Sequence, residues 1–351
     1  MKKCLALLLV IVSLLSLTAC KENQPGTTTT TPSQTTTTTT PEQAGKVKNM
    51  LTGQYDMKQG DATRPVAIMV PNDSIVIGHQ VEIDKADFYL ECETEGAIPR
   101  LMTVFANADR VPEKYGPIRS ARSPFVHTAK QLGFVLTFSG ATNHVLTKIK
   151  TLGLEVMNAS YTPGKTFWRD SYLSANVTNY HNLVTGGKQL TERLDKVGYS
   201  TTAIKALPFA FGEKKGDAAA TTFQVNTTPS HRATFKYDSK TGLYGKNIGK
   251  IDSCKPHKTA AGNQIKVSNV LVLYAPKFVE KKDSKYTWYD FEMGSGSGYL
   301  FSGGTYRKVN YTRSTDELKL TEQDGSPLVF AEGKIYMVLA DKDLESKQII
   351  Q

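Results

Sequence analysis

Ser123-Pro124-Phe125-Val126-His127-Thr128-Ala129-Lys130-Gln131-Leu132-Gly133-Phe134-Val135-Leu136-Thr137-Phe138 passes from a helical pattern to a strand pattern within one short stretch. Serine can cap a helix and proline fits its first position, so a helix is expected to start at Ser123-Pro124. Gly133 stops it, and Phe134 to Phe138 reads as a buried strand. The same arrangement recurs downstream. Val145, Ile149 and Leu152 keep one helical face over Asn143 to Leu152, and Gly153 ends it. Leu190, Leu194 and Val197 mark a further helix closed by Gly198. Upstream, Val66-Ala67-Ile68-Met69-Val70 is a short apolar strand ended by Pro71, with Ala86 to Cys92 and Leu101 to Ala106 as further strands. Strands alternating with helices argue an α/β layer domain.

The texture changes after Pro208. Thr222 to Val225, Ala233 to Tyr237, Ile265 to Tyr274, Tyr286 to Phe291, Gly298 to Phe301, Tyr306 to Tyr311, Glu317 to Leu320 and Ile335 to Leu339 read as strands. Turn signals such as Lys240-Thr241-Gly242, Gly303-Gly304 and Asp324-Gly325 separate them. The expected fold class is therefore α+β overall: an α/β layer domain over 63–210, then a mainly antiparallel β domain over 211–351.

The chain has 351 residues, enough for two ordinary domains, and 39% hydrophobic with 22% charged residues excludes a wholly disordered chain or a polytopic membrane protein. The first residues carry an address. Lys2 and Lys3 precede an apolar run from Leu5 to Leu17, and Leu17-Thr18-Ala19-Cys20 supplies a small-residue cleavage site ending in cysteine. The run is shorter than the ~20 apolar residues of a spanning helix, which favours a cleaved signal over 1–19 against an uncleaved anchor. By resemblance to the bacterial lipobox, Cys20 becomes the lipidated first residue, placing the protein on the membrane at its extracytoplasmic face. Residues 20–62 are expected to form a disordered tether, because the runs Thr27 to Thr31 and Thr35 to Thr40 bury too little apolar surface to offset ordering entropy. As a flexible coil it would reach roughly 35 Å.

Without Lys2 and Lys3, 41 basic residues stand against 33 acidic ones. A mild basic excess on an exported protein suits anionic lipid headgroups or wall polymers. No aromatic–arginine interleaving points to nucleic acid. Beyond Cys4 and Cys20 only Cys92 and Cys254 remain, either as one disulfide or as two buried free thiols, the second being favoured.

Gly96-Ala97-Ile98-Pro99-Arg100, Gly116-Pro117-Ile118-Arg119-Ser120-Ala121-Arg122 and Tyr180-His181-Asn182-Leu183 resemble the YerB-like lipoprotein family of Gram-positive bacteria. Lys85-Ala86-Asp87 and the stretch from Tyr237-Asp238 to Tyr244 belong to the same resemblance, which runs from about Arg64 to Leu339. The sequence departs from the family pattern at Tyr180, where proline is expected, and at Pro71-Asn72, where Asp-Asn is expected. The resemblance implies a lipid-anchored surface protein of two domains of unknown function and does not supply a reaction.

The site residues must therefore come from their own chemistry. Glu91, Glu93 and Glu95 alternate along a strand and are expected to share one face. Arg100, Arg119 and Arg122 lie close by in sequence, either as a structural ion-pair network or as a cleft wall that captures carboxylate or phosphate groups. Arg169-Asp170 with His181-Asn182 forms a second candidate ligand-binding cluster; its bland alternative is a hydrogen-bonded loop histidine and a turn-capping asparagine. His79, His127, His144, His231 and His257 show no metal-ligand spacing, so no metal is expected, and neither a nucleophile elbow nor a phosphate loop or dinucleotide fingerprint points to a cofactor. The sequence leans towards a non-catalytic binding or scaffold module for a wall polymer or exported protein. The rival is an envelope hydrolase or transferase using Glu91, Glu93 or Glu95 with His181. Solute capture for a transporter is less attractive, because the two halves differ in texture.

Overall fold

The computed structural model describes residues 45–162, 164–178 and 180–351. The signal segment, Cys20 and the threonine runs lie outside the described residues.

A 13-stranded sheet organises the fold, and both sequence halves build it. Along its main path, strands Thr305–Arg313, Gly294–Ser302, Asn269–Ala275 and Ile335–Asp341 of the second half are followed by Phe88–Glu95, Ile98–Phe105, Val66–Pro71, Val135–Phe138 and Val156–Asn158 of the first. Strand Ile335–Asp341 joins the two sets, running parallel to Asn269–Ala275 on one side and to Phe88–Glu95 on the other. The second half is thus not purely antiparallel. Its last long strand enters the sheet as a parallel member because both flanking strands are buried and present matching apolar faces.

The run Val66 to Val70 lacks apolar–polar alternation because both faces of its strand are covered. Val66, Ile68 and Val70 face a cluster that includes Phe223, Phe235 and Tyr244 of a separate 6-stranded sheet. Ala67 and Met69 face Phe125, Val126 and Ala129 of helix α1 (Ser123–Leu132). Arg122 occupies the N-cap and makes no side-chain cap bond, so the helix begins one residue earlier than a serine cap would place it; Pro124 still sits in the first turn. Gly133 closes it with φ +71, a left-handed conformation that costs glycine little. Strand Val135–Phe138, helix α2 (Asn143–Thr151) and strand Val156–Asn158 follow, with Val66–Pro71, Val135–Phe138 and Val156–Asn158 all parallel.

Three further expectations change. The expected tether to residue 62 is folded in its last part: Leu51 and Met57 are buried in the core and Lys46–Val47 pairs with Met57–Lys58. Its few apolar residues suffice because the body supplies the rest of the core. The expected strand Ile265 to Tyr274 divides into Lys266–Val267 in the smaller sheet and Asn269–Ala275 in the main one. Strands Leu243–Ile248 and Lys277–Lys282 are additional. Among the described residues no helix is long and apolar enough to cross a membrane.

Candidate functional site

Three parallel strands end together, and the segments leaving them converge. After Pro71 come Asn72 and Asp73; after Phe138 comes Ser139 to Thr142; after Asn158 comes Ser160. The carboxyl ends of parallel strands are where open α/β sheets bind ligands, since loops there fan apart. The segment 118–121 is laced into this end by backbone bonds: Arg119 N donates to Met69 O (2.8 Å), Ser139 N to Arg119 O (3.0 Å) and Ala121 N to Gly140 O (3.0 Å). Asn158 Oδ1 accepts from Gly140 N (3.0 Å) and Ser160 N (3.1 Å), fixing the two neighbouring loops.

The three arginines do different things here. Arg122 grips Glu95 with both arms of its fork, Nε reaching Oε2 at 2.7 Å and Nη2 reaching Oε1. Arg100 Nη2 donates to the same carboxylate at 2.9 Å, and its Nη1 donates to Ser120 O at 3.0 Å. Burial alone would raise the Glu95 pKa, but Arg100 and then Arg122 outweigh it and bring the carboxyl down to about 2. Burial, with Arg122 next to it, pulls Arg100 down to about 10. Arg119 is different: its guanidinium makes no hydrogen bond or ion pair with the described residues. It is half-buried, and burial and then the neighbouring Arg122 hold its pKa below the ordinary value; the Asp73, Glu95 and Tyr286 groups oppose them. Asn72, next to Asp73, is 1% exposed, and neither its side-chain oxygen nor its nitrogen has a hydrogen-bond partner among the described residues. A buried amide left unpaired is costly to the fold.

Glu91, Glu93 and Glu95 do not form a common wall. A register shift between Glu93 and Glu95 breaks their alternation, and each has its own cations. Glu93 pairs with Lys277 (2.7 Å), whereas Glu91 lies 3.6 Å from Lys246 and 3.4 Å from His231. The carboxylate beside His181 is Asp73, Nε2 to Oδ2 at 3.2 Å in a poorly aligned contact, while Nδ1 meets Thr178 Oγ1 at 2.7 Å. Burial would raise the Asp73 pKa, but His181 leads the groups that lower it. The nearby Arg169, Asp170 and Asn182 hold a turn together. Asp170 caps helix Ser171–Asn176 through Leu173 N (2.9 Å) and pairs with Lys114 (3.0 Å). Asn182 accepts from Arg169 and donates to Ser174 Oγ (2.9 Å). Of the second candidate cluster, His181 contacts Asp73, which lies within electrostatic reach of Arg119.

Sequence reading did not find the buried relay that joins the two sheets. Gln80, Glu91, Lys246, His257 and Tyr336 are all 0% exposed. Lysine has only donors, so Lys246 Nζ donates to His257 Nδ1 (3.0 Å). His257 Nε2–H then donates to Gln80 Oε1 (2.7 Å), and Gln80 Nε2 to Pro71 O (2.8 Å). Burial and then Lys246 keep His257 neutral, which this tautomer requires. Tyr336 Oη donates to Glu91. Burial would raise the Glu91 pKa, yet Lys246 first, then His231 and Tyr336, hold it well below the carboxylate range. The relay ends on the same strand tip as Asn72. Asn72 and Asp73 themselves had a signal, since they follow a strand stopped by proline. Lys246 had none, because a lysine between Gly245 and Asn247 gives no cue to burial.

Cys92 and Cys254 are free thiols; Cys92 is buried and Cys254 only partly so. Among the described residues no group of three or more His, Cys, Asp or Glu side chains is placed to hold a metal ion. A concavity of about 870 Å³ lies away from the arginines against Leu207, Phe209, Leu318 and Leu320. It holds none of the converging polar groups found at the strand ends.

Residues 51–200 match the family described as "Protein of unknown function (DUF3048) N-terminal domain", and residues 222–337 match its C-terminal domain. The chain is 24% identical over 312 residues to YerB of Bacillus subtilis (strain 168), a protein named as a lipoprotein, covering 87% of this chain and 90% of that one. The crystal structure of the Bacillus subtilis YerB protein superposes with a TM-score of 0.72 at 23% identity, over 87% of this chain and all of that one, which shows a shared fold.

Proposed function

The chain belongs to the DUF3048 family, and from that premise we propose that it is a lipid-anchored binding protein of the cell envelope, facing outward, whose ligand presents a carboxylate or phosphate group to Arg119. Lipidation at Cys20 would hold it on the membrane, and the lipobox sequence together with the likeness to a protein named as a lipoprotein supports that placement. One observation carries the binding role: Arg119 is a half-buried guanidinium with no hydrogen-bond or ion-pair partner among the described residues, set where three parallel strands end. Arginine's planar fork suits bidentate capture of such anions. Arg100 and Arg122 are engaged with Glu95 and shape the wall behind it. The partner is a wall polymer or the acidic segment of an exported protein, and the role is capture without chemistry.

Co-sedimentation of the full chain in mild detergent with purified cell-wall sacculi tests this, with mass spectra of the supernatant. Wild type is expected in the pellet with no released fragments, and Arg119→Ala in the supernatant. Release of wall fragments would replace the binding role with a hydrolytic one. Equal sedimentation of both proteins would remove Arg119 from it.

A further inference from the structure

The described residues contain four exposed tyrosines, and three of them, Tyr161, Tyr180 and Tyr286, connect to groups of the strand-end site. Tyr161 is 75% exposed and follows Ser160, whose hydroxyl flanks Gly140 together with that of Ser120, the neighbour of Arg119. Tyr180 is 76% exposed and precedes His181, the partner of Asp73. Tyr286 is exposed and within electrostatic reach of Arg119. Tyr172 is held by a hydrogen bond between its hydroxyl and His79 (3.0 Å), which leaves the other three as the available rings. Tyrosines this exposed bury little of their rings in the fold and leave those faces open to a ligand.

We propose that the ligand held at Arg119 is an acidic glycan, its pyranose rings lying on Tyr161, Tyr180 and Tyr286 while a carboxylate or phosphate substituent meets the guanidinium. This rests on the anion-binding role of Arg119 given above. A tyrosine presents a flat apolar face with a hydroxyl at its edge, which matches a pyranose: a face of C–H groups rimmed by hydroxyls. The rings stand on separate loops rather than in one aliphatic groove, so they suit a chain of discrete flat units better than an apolar helix or strand.

Isothermal titration of the full chain in mild detergent tests the inference with three probes at one ionic strength. Tetragalacturonate carries carboxylates on pyranose rings, phosphorylated maltotetraose carries phosphate on them, and tetraglutamate carries carboxylates without sugar. At least one sugar probe is expected to bind tenfold or more tightly than tetraglutamate. The double variant Tyr161→Ala, Tyr180→Ala should weaken that sugar about tenfold without changing tetraglutamate binding. Both side chains are exposed, so the fold should survive, and an unchanged melting temperature verifies it. If tetraglutamate binds as tightly as the sugars and the tyrosine variant changes nothing, the glycan inference falls while the anion site stands. If no probe binds, or Arg119→Ala leaves sugar binding intact, the anion-binding reading falls with it.

Discussion

Three arginines that look equivalent in sequence separate by partner. Arg100 and Arg122 share Glu95, so losing either leaves a mostly buried carboxylate short of donors. Arg122→Ala should lower unfolding free energy by about 1.5–3 kcal/mol, the range for hydrogen bonds to charged groups. Arg119→Ala should change it by less than about 0.5 kcal/mol, as expected of a side chain with no hydrogen-bond or ion-pair partner among the described residues. Urea unfolding of the two variants distinguishes them; equal losses would make Arg119 part of the structural network. Glu95 also predicts a pH dependence. Its folded pKa is about 2 against an ordinary 4.5, so its contribution is complete above about pH 5 and is lost as pH falls towards 2. Urea midpoints between pH 2 and 6 should therefore fall with acid, and the fall should be shallower in Glu95→Gln. The sequence put the arginines and Glu95 near one another. It could not say which guanidinium the carboxylate would satisfy, because that depends on where the chain crosses itself.

At the scale of elements, the helices were the most legible features. Gly133, Gly153 and Gly198 end their helices as their positions suggest, since a left-handed turn excludes most other residues. Gly133→Ala should cost about 1–2 kcal/mol, because the new Cβ also approaches Ile204 Cγ1 at 3.1 Å and Lys205 Cβ at 3.3 Å. A melting temperature within one degree of wild type would show that the cap relaxes freely. Strand Leu243–Ile248 escaped the pattern for a physical reason. Tyr244 and Lys246 are on one face and fully buried, but a lysine there reads as solvent-facing until Glu91 is brought against it. Removing one partner of a buried pair leaves the other uncompensated, so Lys246→Ala should cost about 3–5 kcal/mol by denaturant unfolding. A loss under 1 kcal/mol would mean that His231 already neutralises Glu91.

For the whole molecule, the boundary near residue 210 separates two kinds of sequence, and the two family domain models fall on either side of it. The main sheet nevertheless runs through both halves. A fragment of residues 45–210 would leave one side of Phe88–Glu95 without the strand Ile335–Asp341 and with Tyr89 no longer stacked on Tyr336. It should fail to unfold cooperatively, whereas the full chain should show one transition in circular dichroism and fluorescence. A cooperative fragment would mean that the first half is autonomous despite the shared sheet.

The sequence by itself determined where three of the helices stop, most of the longer strands and the neighbourhood of the arginines. These follow from local chemistry: periodicity, glycine stops, proline, and residue types a few positions apart. Only the tertiary structure decided that the last long strand lies beside Phe88–Glu95, that Glu91 belongs to Lys246, and that of the three arginines Arg119 is the one left without a hydrogen-bond or ion-pair partner among the described residues. Those facts depend on residues far apart in sequence meeting across two sheets, and no local pattern encodes which ones meet.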